Sequence, residues 1–188
     1  PEEIINFIDF LKYDKFKPIV GERIKRTENL IFKLSYSIHK LITLVFTGQS
    51  IKFGNYTCLP KSTVEKMVNE KATWSSFSGS LAKVEKNRST VSSIRGKRYF
   101  GPSKMSFYNL IKHSLSIIAV FKTNVKIRSI LFFLIYIFLI SENITYITSI
   151  PLIAIIAFVI AVLRVSKREN FEEYKNSLNN IKNIENLK

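Results

Sequence analysis

The chain holds one cysteine, Cys58, and two histidines, His39 and His113, among 188 residues. One thiol excludes an intrachain disulfide and any cysteine-built zinc cage, and two histidines far apart in sequence do not make a histidine-rich metal site. Aspartate is nearly absent: Asp9 and Asp14 are the whole complement, so no D-x-D pair exists. Acidic residues are outnumbered, 14 Asp+Glu against 29 Lys+Arg, leaving a net charge of +15. That imbalance predicts attraction to polyanions: nucleic acid, anionic lipid or a phosphorylated substrate. A signal-peptide pattern is absent too. The chain opens on "PEEII" without Met, already inside the first turn of a helix, and reads as a fragment of something longer.

What the chain does have is apolar area, 46% of its residues, enough for one packed domain and an appendage. Pro1 to Lys12 predicts an amphipathic helix: Pro suits a first helical position, and Ile4, Ile5, Ile8 and Leu11 recur at helical spacing. "KPIVGER" (Lys17 to Arg23) predicts a short buried strand ending at Gly21. Thr27 to Phe46 is a second helical pattern, stopped by Gly48. "SIKFGNYTCLP" is strand-and-turn material, and Pro60 opens a short helix with Val64, Met67 and Val68 on one face. Trp74 to Val84 reads as helical, and the alternating "STVSSI" (Ser89 to Ile94) as an edge strand. Helix and strand are mixed, with connections that cross a sheet, so the expected class is α/β.

Ser106 to Phe121 is amphipathic, with Phe107, Leu110, Ile111, Leu115, Ile118 and Phe121 on one face. Periodicity alone fits either a core-covering helix or one lying in a membrane interface. The next segment decides for the interface. Ile127 to Ile140 is almost wholly apolar, its run "ILFFLIYIFLI" (Ile130 to Ile140) interrupted only by Tyr136, and Tyr146 to Leu163 is a second run. Spanning a bilayer takes about 20 residues, which 125–143 and 146–164 supply. "SENIT" joins them. Lys122, Lys126 and Arg128 lie outside one run and Arg164, Lys167 and Arg168 outside the other, so the positive-inside rule puts both outer ends in the cytoplasm. The expected organisation is a domain over 1–105, an interfacial helix over 106–122, a transmembrane hairpin over 125–164 and a cytoplasmic tail helix over 165–188.

Three sets of residues carry possible chemistry. Arg23 and Arg26 in "GERIKR" stand just past a predicted strand, and the ends of strands are where α/β sheets hold ligands. Their guanidinium forks match phosphate oxygens, although an isolated R-x-x-R also suits a solvated charge run. In "KFGNYTCLP", Gly54 permits close backbone approach or a positive φ, and Asn55 is able to orient a hydroxyl or phosphate; a plain turn is the simpler reading. The third set is "RGKRYFGPSKMSF", with Arg95, Lys97, Arg98 and Lys104 around a Gly101-Pro102-Ser103 turn that offers N–H groups and a hydroxyl to an anion. The same cations suit anionic headgroups at a membrane surface. Tyr99, Phe100 and Phe107 are placed to stack bases, but a membrane hairpin immediately downstream argues against nucleic acid.

The order of these motifs is itself informative. "PEEI", "VGERIKR", a long helix closed by glycine, "FGNYTCLPKSTVEKM", Trp74 in "ATWSSFSGSLAK", "RGKRYFGPSKMSFYNLIKHSLSIIAVF" and two apolar runs follow one another. This series resembles the C-terminal part of membrane-associated family 2 glycosyltransferases, those akin to polyprenyl-phosphate and dolichol-phosphate sugar transferases. It covers nearly the whole chain. The run Arg98, Gly101, Ser103, Lys104 is its most specific element.

The resemblance implies a GT-A fold, a Rossmann-like nucleotide-sugar domain, of which this chain is the C-terminal portion without the D-x-D half. It implies a divalent metal, Mg or Mn, in the full-length parent, with ligands outside this chain. It implies a nucleotide sugar as donor and a lipid phosphate or envelope glycan as acceptor. Arg23 and Arg26 then lie near the pyrophosphate or acceptor cleft, and Arg98, Ser103 and Lys104 hold phosphate oxygens. Many relatives carry Asp where this chain has Asn55. An amide is no general base at neutral pH, so Asn55 is left a positioning role and the catalytic base is unassigned. The fragment alone is expected to be inactive. The competing expectation is a small non-enzymatic membrane protein whose basic loop binds anionic lipid or a partner subunit. Donor, acceptor and oligomeric state, a homo-oligomer included, stay open.

Overall fold

The computed structural model describes residues 2–13, 16–25, 30–94, 101, 106–169, 172 and 176. Within them the fold is mixed α/β. The order is α1 (Glu2–Tyr13), β1 (Ile19–Lys25), α2 (Leu30–Thr47), β2 (Phe53–Cys58), α3 (Lys61–Val68), α4 (Phe77–Val84), β3 (Ser89–Ile94), α5 (Phe107–Ala119), α6 (Lys122–Ile140) and α7 (Tyr146–Ser166).

The sheet has the order β2-β1-β3, with β1 antiparallel to β2 and parallel to β3. β3 is an edge strand, as its alternation predicts. β1 does not end at Gly21: it pairs with β3 through Lys25. Gly21 instead sits at a register shift against β2, where Tyr56 presses in. A Cβ on Gly21 would lie 2.8 Å from Tyr56 Cδ1 and 3.2 Å from the Tyr56 carbonyl oxygen, so glycine is needed for the approach, not for a stop.

Both faces of the sheet are covered. α1 lies on one: Phe7 is buried with Ile19 and Val91, and Leu11 and Cys58 pack beside them. This corrects the predicted face of α1, because Ile4, Ile5 and Ile8 stay exposed. The helix is apolar on two sides, and the Phe7–Leu11 pair, one turn apart, is the side that meets the sheet. The opposite face packs Val20 on Met67 of α3 and Leu81 of α4. Of the face predicted for α3, Met67 is buried while Val64 and Val68 are exposed. The helix predicted from Trp74 to Val84 is two pieces, a 3-10 turn (Lys71–Trp74) and α4. Ser76 divides them by accepting the Gly79 N–H at 3.3 Å, the usual work of serine at a helix start.

α5 starts at Ser106, whose hydroxyl accepts the Asn109 N–H at 3.2 Å. Its C-terminal half is enclosed from two directions. Ile117, with Val120 and Phe121 just beyond, joins Ile51, Ala72 and Ala82 in the core of the domain. Ile118 and Ala119 join Val125 and Val162 in a second core shared with α6 and α7. The expected single face along α5 is therefore modified: Phe107 and Ile111 are exposed, while Ile118 and Phe121 are buried in different cores.

α6 and α7 are long and apolar enough to cross a membrane, at 19 and 21 residues. Only 11% and 6% of their apolar windows are buried, whereas the core helix of a soluble domain is mostly buried. The Thr145 hydroxyl and backbone N–H form a reciprocal capping box with Thr148 that starts α7. At the other end of the hairpin Lys122 pairs with Glu169 at 2.7 Å, so this flanking cation has a protein partner.

Candidate functional site

β1 and β3 are parallel neighbours, with Arg23 opposite Ser93 and Lys25 opposite Ile94. The two strands therefore finish at the same end of the sheet. The chain leaving β1 enters the segment with Arg26, and the chain leaving β3 enters "RGKRYFGPSKMSF". Two basic motifs about seventy residues apart thus start from one sheet end, the C-terminal end of two adjacent parallel strands. Arg23 itself lies in β1. Arg26, Arg98, Ser103 and Lys104 lie outside the described residues. Within the third motif Gly101 has φ +64, the left-handed backbone that a tight loop needs and glycine supplies without a Cβ penalty. Five residues later Ser106 caps α5, so the motif runs from the sheet end to a helix packed on the apolar hairpin.

Asn55 stands in β2, the other edge strand, exposed to solvent. It is not in a turn. Its neighbour Tyr56 points to the α1 side, where its ring meets Phe7 edge-on at 4.8 Å. Gly54 has neither expected property: its φ is not positive, and a Cβ there would meet nothing within 4 Å. Asn55 is therefore offered from the stretch of β2 where the register against β1 shifts, and β1 lies between it and β3.

The structure adds residues that the motifs did not bring out. A cleft of about 230 Å³ is lined by Glu22, Ser50, Lys52, Lys86, Arg88 and Thr90 among others. Lys52 faces Glu22 at 3.8 Å. Arg88 donates to the carbonyl oxygens of Glu85 and, at 3.5 Å, Ala82, and its guanidinium stands 5.2 Å from the Phe53 ring centroid. Burial pulls the Arg88 pKa down and the nearby Glu85 carboxylate pulls it back, but a guanidinium stays charged under both. Three cations from two segments against one carboxylate give the cleft a positive potential. Its sequence signal is weak, since "VEKNRST" reads as an ordinary loop entering a strand. A separate apolar groove of about 210 Å³ lies between α3 and α4, walled by Val64, Val68, Trp74 and Phe77.

Among the described residues no group of three or more His, Cys, Asp or Glu side chains is placed to hold a metal ion. The divalent metal implied by the resemblance finds no ligand set there, and no chemical step is assigned to it. The chain matches no family profile, no curated protein and no solved structure.

Proposed function

We propose that these residues form the membrane-proximal, C-terminal part of a family 2 glycosyltransferase, which moves a sugar from a nucleotide sugar to a lipid-linked or cell-envelope acceptor. The observation that carries the reading is the parallel register of β1 and β3. It starts both basic motifs from one sheet end, and the second of them leads directly to a helix seated on the hairpin. Sugar transfer from a nucleotide diphosphate leaves negative charge on the departing phosphates. Fixed cations stabilise that charge most where water is scarce. Arg98 supplies a planar fork for two phosphate oxygens, Lys104 a point charge, and Ser103 a hydroxyl donor. Arg23 and Arg26 belong to the motif that leaves β1 at the same sheet end. Asn55 orients the acceptor and moves no proton. The hairpin crosses the bilayer with both outer ends cytoplasmic, which sets the basic loop at the height of lipid headgroups.

The coding sequence upstream of Pro1 should encode an α/β segment with a D-x-D motif; an upstream reading frame without one would sink the assignment. In the full-length enzyme Arg98→Lys should lose most activity, because lysine cannot reproduce a bidentate grip. Full activity in that variant refutes a specific phosphate role. A loss that merely follows net charge, equal for Arg95→Gln and Arg98→Gln, means that the loop only attracts headgroups.

A further inference from the structure

α2 carries an apolar face that no other described residue covers. Leu34, Ile38, Leu41 and Val45 recur at steps of four, three and four along one side of the helix, and all are exposed. Leu34 is 64% exposed and Leu41 61%, values that belong to no packed helix. The opposite side is satisfied: Ile42 and Phe46 pack into the core shared with the hairpin, and Thr43 and Thr47 are buried. A stripe of this kind on a helix of 18 residues, roughly 27 Å long, needs an apolar partner.

We infer that this partner is the lipid bilayer, and that α2 lies in the membrane interface as a second attachment of the domain beside the hairpin. Three observations single out lipid. First, the end of α2 is fixed at membrane height. The Phe46 ring is 5.6 Å from Phe132 of α6 and 4.6 Å from Phe158 of α7. Phe132 is four residues beyond Arg128, and Phe158 six before Arg164. At 1.5 Å per residue Phe46 sits roughly 6–9 Å to the apolar side of those cations, the depth at which interfacial helices rest. Second, α6 and α7, on which the end of α2 packs, carry exposed apolar surfaces of their own that the same bilayer would cover. Third, α2 contains no acidic residue, while Lys33 and Lys40 flank the stripe where they reach phosphate headgroups. The bilayer is therefore an anionic one. The inference needs the hairpin to span the membrane; it does not need the transfer chemistry.

The test is depth measurement on the full 188-residue chain in vesicles of phosphatidylcholine and phosphatidylglycerol. Spin labels go singly onto a Cys58→Ser background at positions 34, 41, 33 and 138. Labels at 34 and 41 should be reached by oxygen and not by a water-soluble nickel reagent, at a depth of about 5–10 Å below the phosphates. The label at 33 should report the headgroup layer, and that at 138 the hydrocarbon core. Labels at 34 and 41 open to the nickel reagent, with 138 in lipid, overturn the inference and leave the hairpin standing. Labels at 34 and 41 shielded from both reagents also overturn it, since the stripe is then covered by protein, another segment or a second copy. A label at 138 in water overturns the hairpin and the inference together.

Discussion

Arg128, outside the hairpin's apolar run by sequence, works inside the fold as the cap of another helix. Its Nη1 donates to the Val45 carbonyl at 2.9 Å, and Asn124 one turn earlier donates to the Thr47 carbonyl at 3.1 Å. Both oxygens belong to the last turn of α2, where carbonyls lack intrahelical partners and the dipole is negative. Gly48 makes room: its φ is +74, and a Cβ there would lie 2.8 Å from the Arg128 Nη2. Removing the guanidinium in Arg128→Ala forfeits a charged hydrogen bond, about 1.5–3 kcal/mol where buried. Arg128 is exposed, so about 1 kcal/mol is the fair expectation. Gly48→Ala costs about 1–2 kcal/mol for the left-handed backbone. It also displaces the guanidinium, so it loses the Arg128 contact as well. The double variant must then be less destabilised than the sum of the singles, by about 1 kcal/mol, whereas independent sites add within about 0.3–0.5 kcal/mol. Reversible unfolding by sodium dodecyl sulfate in mixed micelles, for the four members of the cycle, measures this. Strict additivity, or an Arg128→Ala variant as stable as the parent, refutes the capping argument.

Gly79→Ala should destabilise by about 1–3 kcal/mol in the same assay, because its Cβ would stand 2.8 Å from Val120 Cγ2 and 3.2 Å from the Ile117 carbonyl; adding Val120→Ala should return part of that loss, and no recovery counts against a steric cause. Phe46→Ala removes a half-buried ring lodged between two hairpin helices and should cost about 2 kcal/mol, with faster proteolysis within α2; unchanged proteolysis says that the ring does not hold the helix down. His39 is held below its ordinary pKa by burial and, secondarily, by the charge of His113 on α5. The unfolded chain binds that proton more readily, so stability is fully present above about pH 6.5 and falls on acidification toward the lower folded value. The unfolding midpoint should drop between pH 7.5 and 5.5 and drop less steeply in His39→Gln, where burial of His113 still contributes a slope of the same sign; a midpoint that rises with acid has the wrong sign.

How much of this was legible beforehand differs by element for physical reasons. The hairpin was plain, because a span is decided by composition over about twenty residues and by nothing distant. Helix and strand identities were mostly legible, as were the Gly48 stop and the edge position of β3. Which face a helix buries was not. α1 is apolar on two sides, and periodicity cannot say that Phe7 rather than Ile8 meets Ile19. α5 buries Ile118 and Phe121 in different cores, so a one-faced reading was bound to split. For the candidate site, sequence gave the two basic motifs but not that parallel pairing starts them from one sheet end. Lys52 meets Lys86 and Arg88 only through the fold. The capping role of Arg128 joins positions 83 residues apart, beyond the reach of any local pattern.

The double engagement of α5 also fixes an order of events during synthesis. Ile118 leaves the ribosome 44 residues before Val162, its partner in the hairpin core, which at about 5–20 residues per second is roughly 2–9 s. During that interval α5 can close the domain on one side only, and its other apolar side waits. The wait ends when α7 has been made and packs beside α5 and α6. The domain thus reaches its finished form only after α7, and a ribosome stalled within α7 would leave a nearly complete domain with an open seam.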